Sequence, residues 1–222
     1  MARNTAIFSV FTGLSRVAGL AREIAAAAYF GVTGPASAFT IAFQVPNLIR
    51  SLVADAALSS AFVPVFTELL EQGRKREAHA LAASLLGLIL VVVGALSALF
   101  VLGAGLVMPL FAGDELSPFD TDLLVGLSRV LFPIVVLLGV NGLVVGILNA
   151  YEHFSIPAIA PLVWNVVIIV VLVVARPFFE GPDQLYAYAA GVLLGTIVQL
   201  VMALPVLPRV GFHFDWHFDP RD

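Results

Sequence analysis

Three arginines and two acids stand where charge is expensive. Arg16, Arg22 and Glu23 fall within "SRVAGLARE" (15–23), and Arg50 and Asp55 within "FQVPNLIRSLVADAAL" (43–58). Both stretches otherwise read as membrane helix. A charge at the centre of such a helix costs about 2.5–3.5 kcal/mol on insertion scales. A guanidinium keeps its charge in almost any environment, and its planar fork matches phosphate oxygens two at a time. Three of them around one water-filled hollow would suit a ligand with a diphosphate group. The residues therefore point to a membrane cavity that receives a phosphate-bearing, amphiphilic molecule.

The elements that must position these groups follow from composition. Of 222 residues, 60% are hydrophobic and 12% charged, against about 25% charged in soluble domains. This is the signature of an all-α, polytopic integral membrane protein. Windows free of Lys, Arg, Asp and Glu run over 24–49, 80–113, 130–151, 153–175 and 184–208. Six transmembrane helices are predicted near 6–31, 36–70, 80–111, 122–149, 157–176 and 184–207. Breaks fall at "GVTGP" (31–35), "EQGRKREAH" (71–79), "AGDELSPFDTD" (112–122), "YEHFSIP" (151–157) and "RPFFEGPD" (176–183). With no cysteine in the chain, disulfides and thiolate chemistry are excluded.

On the first helix, Thr5, Ser9, Thr12, Ser15, Arg16, Gly19, Arg22 and Glu23 share an arc of roughly 140°, at 100° per residue. Val10, Leu14, Val17, Ala21 and Ile24 lie opposite. Arg16 is about ten residues from either end, too deep for easy snorkelling to the headgroups. The second helix repeats the pattern, with Asn47, Arg50, Ser51 and Asp55 in its middle and Gln44 on a similar side. Pro46 and Pro64 each remove a backbone donor there, a feature of helices that line cavities. The charges allow a second reading, as structural ion pairs of Arg22 with Glu23 and Arg50 with Asp55.

Loop charge predicts orientation. Arg3, Arg74, Lys75, Arg76, Arg209 and Arg221 fall on one side, and Arg176 alone on the other with six acids. The positive-inside rule places the N-terminus in the cytoplasm. Arg74–Arg76 reads as a patch for membrane-lipid headgroups. Arg129 is near enough to the outer helix end to snorkel. Asn141 reads as a helix–helix hydrogen bond, and the glycines at 87, 94, 103, 105, 139, 142, 146, 191 and 195 as close-packing points. His79 and His153 fall in loops, and no histidine pair has metal-site spacing. Neither a metal nor a cofactor is expected, nor a nucleic-acid partner. The absence of a nucleophile–base constellation argues against an enzyme.

"SRVAGLARE" (15–23), "FGVTGPASAF" (30–39), "AFQVPNLIRSLVADAALSSAFVPVF" (42–66), "RVLFP" (129–133) and "GILNAYEHFSIPAIAP" (146–161) resemble the MurJ/MviN lipid II flippases of the MOP exporter superfamily. The resemblance covers nearly the whole chain in order. It implies movement of lipid II, undecaprenyl diphosphate carrying a disaccharide-pentapeptide, from the inner to the outer leaflet of the bacterial cytoplasmic membrane. It further implies alternating access between two six-helix lobes around a cationic cavity, a place in peptidoglycan biosynthesis, and diphosphate-binding roles for Arg16, Arg22 and Arg50. Glu23, Ser37, Asn47 and Asp55 fall at polar or gating positions. The chain departs from the family in carrying Ser37 where an acid is usual and Ser51 where a second arginine is usual. Glu23 and Asp55 keep the usual charge at a different length.

On this reading residues 1–210 form the N-terminal six-helix lobe, and 211–222 a cytoplasmic linker toward a second lobe. Two alternatives stay open. One is a half-size membrane subunit or scaffold that does not transport alone and must pair to enclose a cavity. The other is a flippase of a different oligosaccharide-lipid.

Overall fold

The computed structural model describes residues 2–32, 34–51, 61–112 and 116–214, with side chains for all of these except 2–8, 49 and 50. Every regular element among them is helical. They are α1 (Ala2–Phe30), α2 (Pro35–Arg50), α3 (Val63–Glu71), α4 (Lys75–Leu88), α5 (Gly94–Val107), α6 (Pro109–Ala112), α7 (Pro118–Leu131), α8 (Ile134–Ala150), α9 (Ser155–Ala175) and α10 (Leu185–Ala203). By length and composition, four described stretches can cross a membrane: Lys75–Val107, Pro118–Ala150, Ser155–Phe178 and Gly181–Val210. α1 has the length, at 29 residues, but carries Arg16, Arg22 and Glu23. α2 is described over 16 residues, and residues 52–60, on which part of the expected 36–70 helix falls, lie outside the described residues.

Three expected boundaries shift, each for a local reason. The expected loop 71–79 is a turn of three residues. Gly73 adopts φ 74°, its N–H bonds Leu70 O, and Arg74 N–H bonds Leu69 O, a glycine-terminated helix end. The chain re-enters helix at Lys75, where Arg74 Nε donates to Glu77 Oε1 at 2.7 Å and the acid favours the helix N-terminus. His79 is therefore buried in α4, not in a loop. The helix expected over 80–111 widens into a π-turn at Ile89–Val93 and breaks before Pro109. The helix expected over 122–149 is two, because Pro133 has no N–H for the carbonyl four residues back. Phe132 O there accepts from Val135 N at 3.1 Å and from Ser97 Oγ at 3.3 Å.

α10 lies at the centre, packed on α9, α8 and α7; α1 runs along α9, and α2 along α7 and α8. Gly191 and Gly195 admit this closeness: a Cβ on them would lie 3.1 Å from Ile168 O and 3.0 Å from Trp164 Cδ1. Gly87, Gly94 and Gly103, expected as packing points, face nothing within 4 Å.

Contacts between turns define two ends. At one, the Arg176 guanidinium sits 4.1 Å over the Tyr29 ring, and Gly34 adjoins the Asp120 carboxylate. Ser117 caps α7 here, its Oγ accepting from Asp120 N at 3.1 Å. At the other, His79 Nε2 lies 3.2 Å from Tyr151 OH, and Phe212 packs on His79 at 4.7 Å and on Phe66 at 6.1 Å between ring centres. Burial pushes the Tyr151 phenol up. Gly211, at φ 88°, turns the chain so that Phe212 N–H bonds Leu207 O and Phe212 is fully buried. Phe212, the second residue of the segment expected as a linker, thus packs on the helical bundle. Each end has its own apolar cluster, one around Phe39, Leu127 and Tyr188 and the other around Phe66, Leu148 and Phe212, and Val93 packs against both.

Candidate functional site

Because α1 follows α9 while α2 follows α7 and α8, a gap opens between α1 and α2, floored by α10. It holds a cavity of about 370 Å³ lined by Arg22, Glu23, Phe30, Phe39, Phe43, Thr40, Gln44 and Tyr188 among others. The apolar side of α1 faces outward, as expected: Val10, Leu14, Val17 and Ile24 are all exposed. The polar side is divided. Ser15 and Gly19 meet α9, where Asn165 Nδ2 lies 3.4 Å from Ser15 O, and Arg22 and Glu23 reach the cavity.

Arg22 is the best-placed cation. Its side chain is 14% exposed, and one Nη lies 2.5 Å from Glu23 Oε1. Its guanidinium carbon sits 4.9 Å above the centre of the Trp164 ring. Its Nε is buried with no hydrogen-bond partner, so the pair with Glu23 does not satisfy every donor of the guanidinium. Arg22 and Glu23 do form an ion pair, as neighbours on α1 and not between packed helices. It occupies part of the fork and leaves part free. The opposite wall is aromatic, with Phe39 and Tyr188 stacked at 4.3 Å. Such a hollow combines a hydrogen-bonding cation with apolar surface, as small-molecule sites commonly do.

The other expected site residues are scattered. Arg16 is exposed on α1, outside the cavity lining, six positions from Arg22 and so about 9 Å along the axis and 120° around it. Ser37 is half-buried in α2 and outside the lining. Asn47 borders a second, more open hollow of about 520 Å³ with Gln44, Leu48, Ser51 and Phe111. Gln44 borders both. Arg50 ends α2, with its side chain outside the described residues, and Asp55 lies outside them altogether. Arg129 is exposed beside Gly105 of α5. Asn141 is buried, but its Oδ1 has no partner, contrary to the expected helix–helix bond. Among the described residues, no group of three or more His, Asp or Glu is arranged to hold a metal.

Trp164, Asn165 and Tyr188 were not expected at the site. They sit in charge-free windows, where an aromatic or amide reads as packing. Only the charges carry a signal strong enough to read in a membrane sequence.

Known proteins bear on this geometry directly. The family model for the lipid II flippase MurJ matches residues 26–222. The chain belongs to the MurJ family. It is 36% identical over 203 residues to a lipid II flippase MurJ of Burkholderia cenocepacia, covering 91% of this chain and 39% of that protein. It is 33% identical to a probable lipid II flippase MurJ of Vibrio cholerae, covering 92% of this chain and 40% of that one. Among solved structures it resembles a lipid II flippase MurJ in an inward closed conformation, with TM-score 0.77 and 25% identity over 95% of this chain and 43% of that one. The chain thus spans about two fifths of these MurJ relatives, and its helices take the MurJ fold over that part.

Proposed function

We propose that this chain is the N-terminal, six-helix lobe of a lipid II flippase of the bacterial cytoplasmic membrane, with its N-terminus in the cytoplasm. Residues 1–210 form the lobe, and 211–222 lead to a second six-helix lobe that completes the cavity. The observation that carries this reading is Arg22, a cation lining an aromatic-walled cavity between α1, α2 and α10, in a chain of the MurJ family. The diphosphate of lipid II competes with Glu23 for the Nη groups of Arg22, with Arg16 and Arg50 adding charge. Asn47, Ser37 and Asp55 serve the polar path or its gating. Rocking of the two lobes then turns the loaded cavity from the cytoplasm to the outside, and no bond is made or broken.

The test is rescue of a flippase-depleted strain by the full-length protein. Losing a charge-assisted hydrogen bond costs about 1.5–3 kcal/mol, roughly ten- to a hundredfold in affinity. Arg16→Ala, Arg22→Ala and Arg50→Ala should each abolish rescue, while Arg176→Ala, which contacts Tyr29 at one end of the lobe, should not. Normal growth with the three arginines removed together, at wild-type protein level, overturns the reading.

A further inference from the structure

We propose that Trp164 is a positioning residue: its indole face fixes the Arg22 guanidinium at the cavity wall so that the fork is ordered before a guest arrives. This rests on the reading of Arg22 as the diphosphate ligand.

A lone arginine on α1 has four rotatable bonds and one neighbouring acid, Glu23, which is 63% exposed. Adjacent helix positions point about 100° apart, and an exposed acid on the same helix holds the guanidinium in one place only weakly. Trp164 supplies the missing constraint from another helix. Its ring lies 4.9 Å from the guanidinium carbon, within the range of a cation–π contact. The ring itself takes none of the guanidinium's N–H groups, which a hydrogen-bonding partner would.

The indole is itself held. Its Nε1–H donates to Thr196 Oγ1 at 3.0 Å, and that hydroxyl, fully buried, donates to Val192 O at 2.9 Å. Neighbouring Gly195 leaves space for the ring, since any Cβ there would lie 3.0 Å from Trp164 Cδ1. One residue along, Asn165 Nδ2 donates to Pro161 O at 2.9 Å and reaches Ser15 O on α1 at 3.4 Å. Trp164 and its neighbour Asn165 thus tie α9 to α10 and to α1. A buried tryptophan ordinarily finds a partner for its N–H; what a packing tryptophan does not need is the cation over its face.

The experiment measures binding of undecaprenyl diphosphate to the purified full-length protein by native mass spectrometry, with undecaprenyl monophosphate as control. Trp164→Leu keeps apolar bulk without a π face and should weaken diphosphate binding about five- to tenfold. Trp164→Phe keeps a ring and should stay within about twofold. Indole emission gives a second readout. The spectrum of wild type minus Trp164→Phe isolates Trp164, one of two tryptophans in the chain. That difference should shift when the diphosphate lipid is added, and should not in Arg22→Ala. Wild-type binding by Trp164→Leu, with Arg22→Ala impaired, overturns the positioning role and leaves the role of Arg22 standing. Wild-type binding by Arg22→Ala overturns both. If Trp164→Leu does not fold, an emission difference that ignores the lipid overturns the positioning role by itself.

Discussion

Phe212→Ala tests whether the chain beyond the last long helix belongs to the lobe. Phe212 is 0% exposed and touches three rings, with centre distances of 4.7 Å to His79, 6.1 Å to Phe66 and 4.8 Å to Phe214. Truncating a buried phenylalanine to alanine costs about 3–5 kcal/mol. Because Phe212 lies at one end of the bundle, where the cavity left behind can partly collapse or fill with water, the lower value is expected. At about 2–4 °C per kcal/mol for a chain of this size, the melting temperature should fall by roughly 6–12 °C. The assay is thermal unfolding in a mild detergent, followed by the fraction that stays monodisperse. Phe214→Ala is the control: it touches the same cluster from a half-exposed position, and should lose less than half as much. A Phe212→Ala melting temperature within about 2 °C of wild type would refute the seating of this segment.

Other consequences are open to measurement. Glu152 holds φ 56° at the end of α8, with its N–H on Asn149 O and that of His153 on Leu148 O; Glu152→Gly should stabilise by about 1 kcal/mol, read as a rise of a few degrees in the same assay. Gly195→Val forces a side chain against Trp164 and should cost about 1–3 kcal/mol, with indole emission changed before any lipid is added. Arg22→Lys keeps the charge but loses the planar fork, so discrimination of diphosphate from monophosphate lipid should fall; unchanged discrimination would reduce the site to generic positive charge. Cysteines at Arg74 and Ser117, probed with an impermeant thiol reagent on intact cells, should react at 117 and not at 74, and the reverse pattern would invert the orientation.

The legible part of the sequence was its charge and its punctuation. Arg22 and Glu23 stood out because nothing in a lipid-facing helix accounts for them, and they line the cavity. Gly31–Pro35 and Ser117–Pro118 marked real helix boundaries because a positive-φ glycine, a capping hydroxyl and a proline act locally. Pro133 lay in plain view, yet its break was missed because the hydrophobic run continues unbroken on both sides. His79 shows the opposite case: five charged residues, Glu71, Arg74, Lys75, Arg76 and Glu77, have the composition of a loop, while Gly73 alone ends the helix. Trp164 and Thr196 could not be paired from sequence, since 32 positions and a turn separate them. Their meeting depends on how closely α10 approaches α9, which is a property of packing.

The π-turn at Ile89–Val93 has a consequence at the level of the gene. On its helix the buried positions are Ala78, His79, Ala82 and Leu86 before the turn, Ile89 at its first residue, and Ser97, Ala104 and Met108 after it. At 100° per residue, Ser97 would stand roughly 80° out of phase with Ile89; a turn that absorbs one extra residue brings the offset to about 20°. The surplus residue is already silent there. An in-frame loss of one codon within 89–93 converts the turn to ordinary α-helix and leaves Ser97, Ala104 and Met108 facing inward. The same loss at 98–103 swings Ala104 and Met108 toward lipid by about 100°. Codons in this helix are therefore unequal, and length variation is tolerated at a single turn.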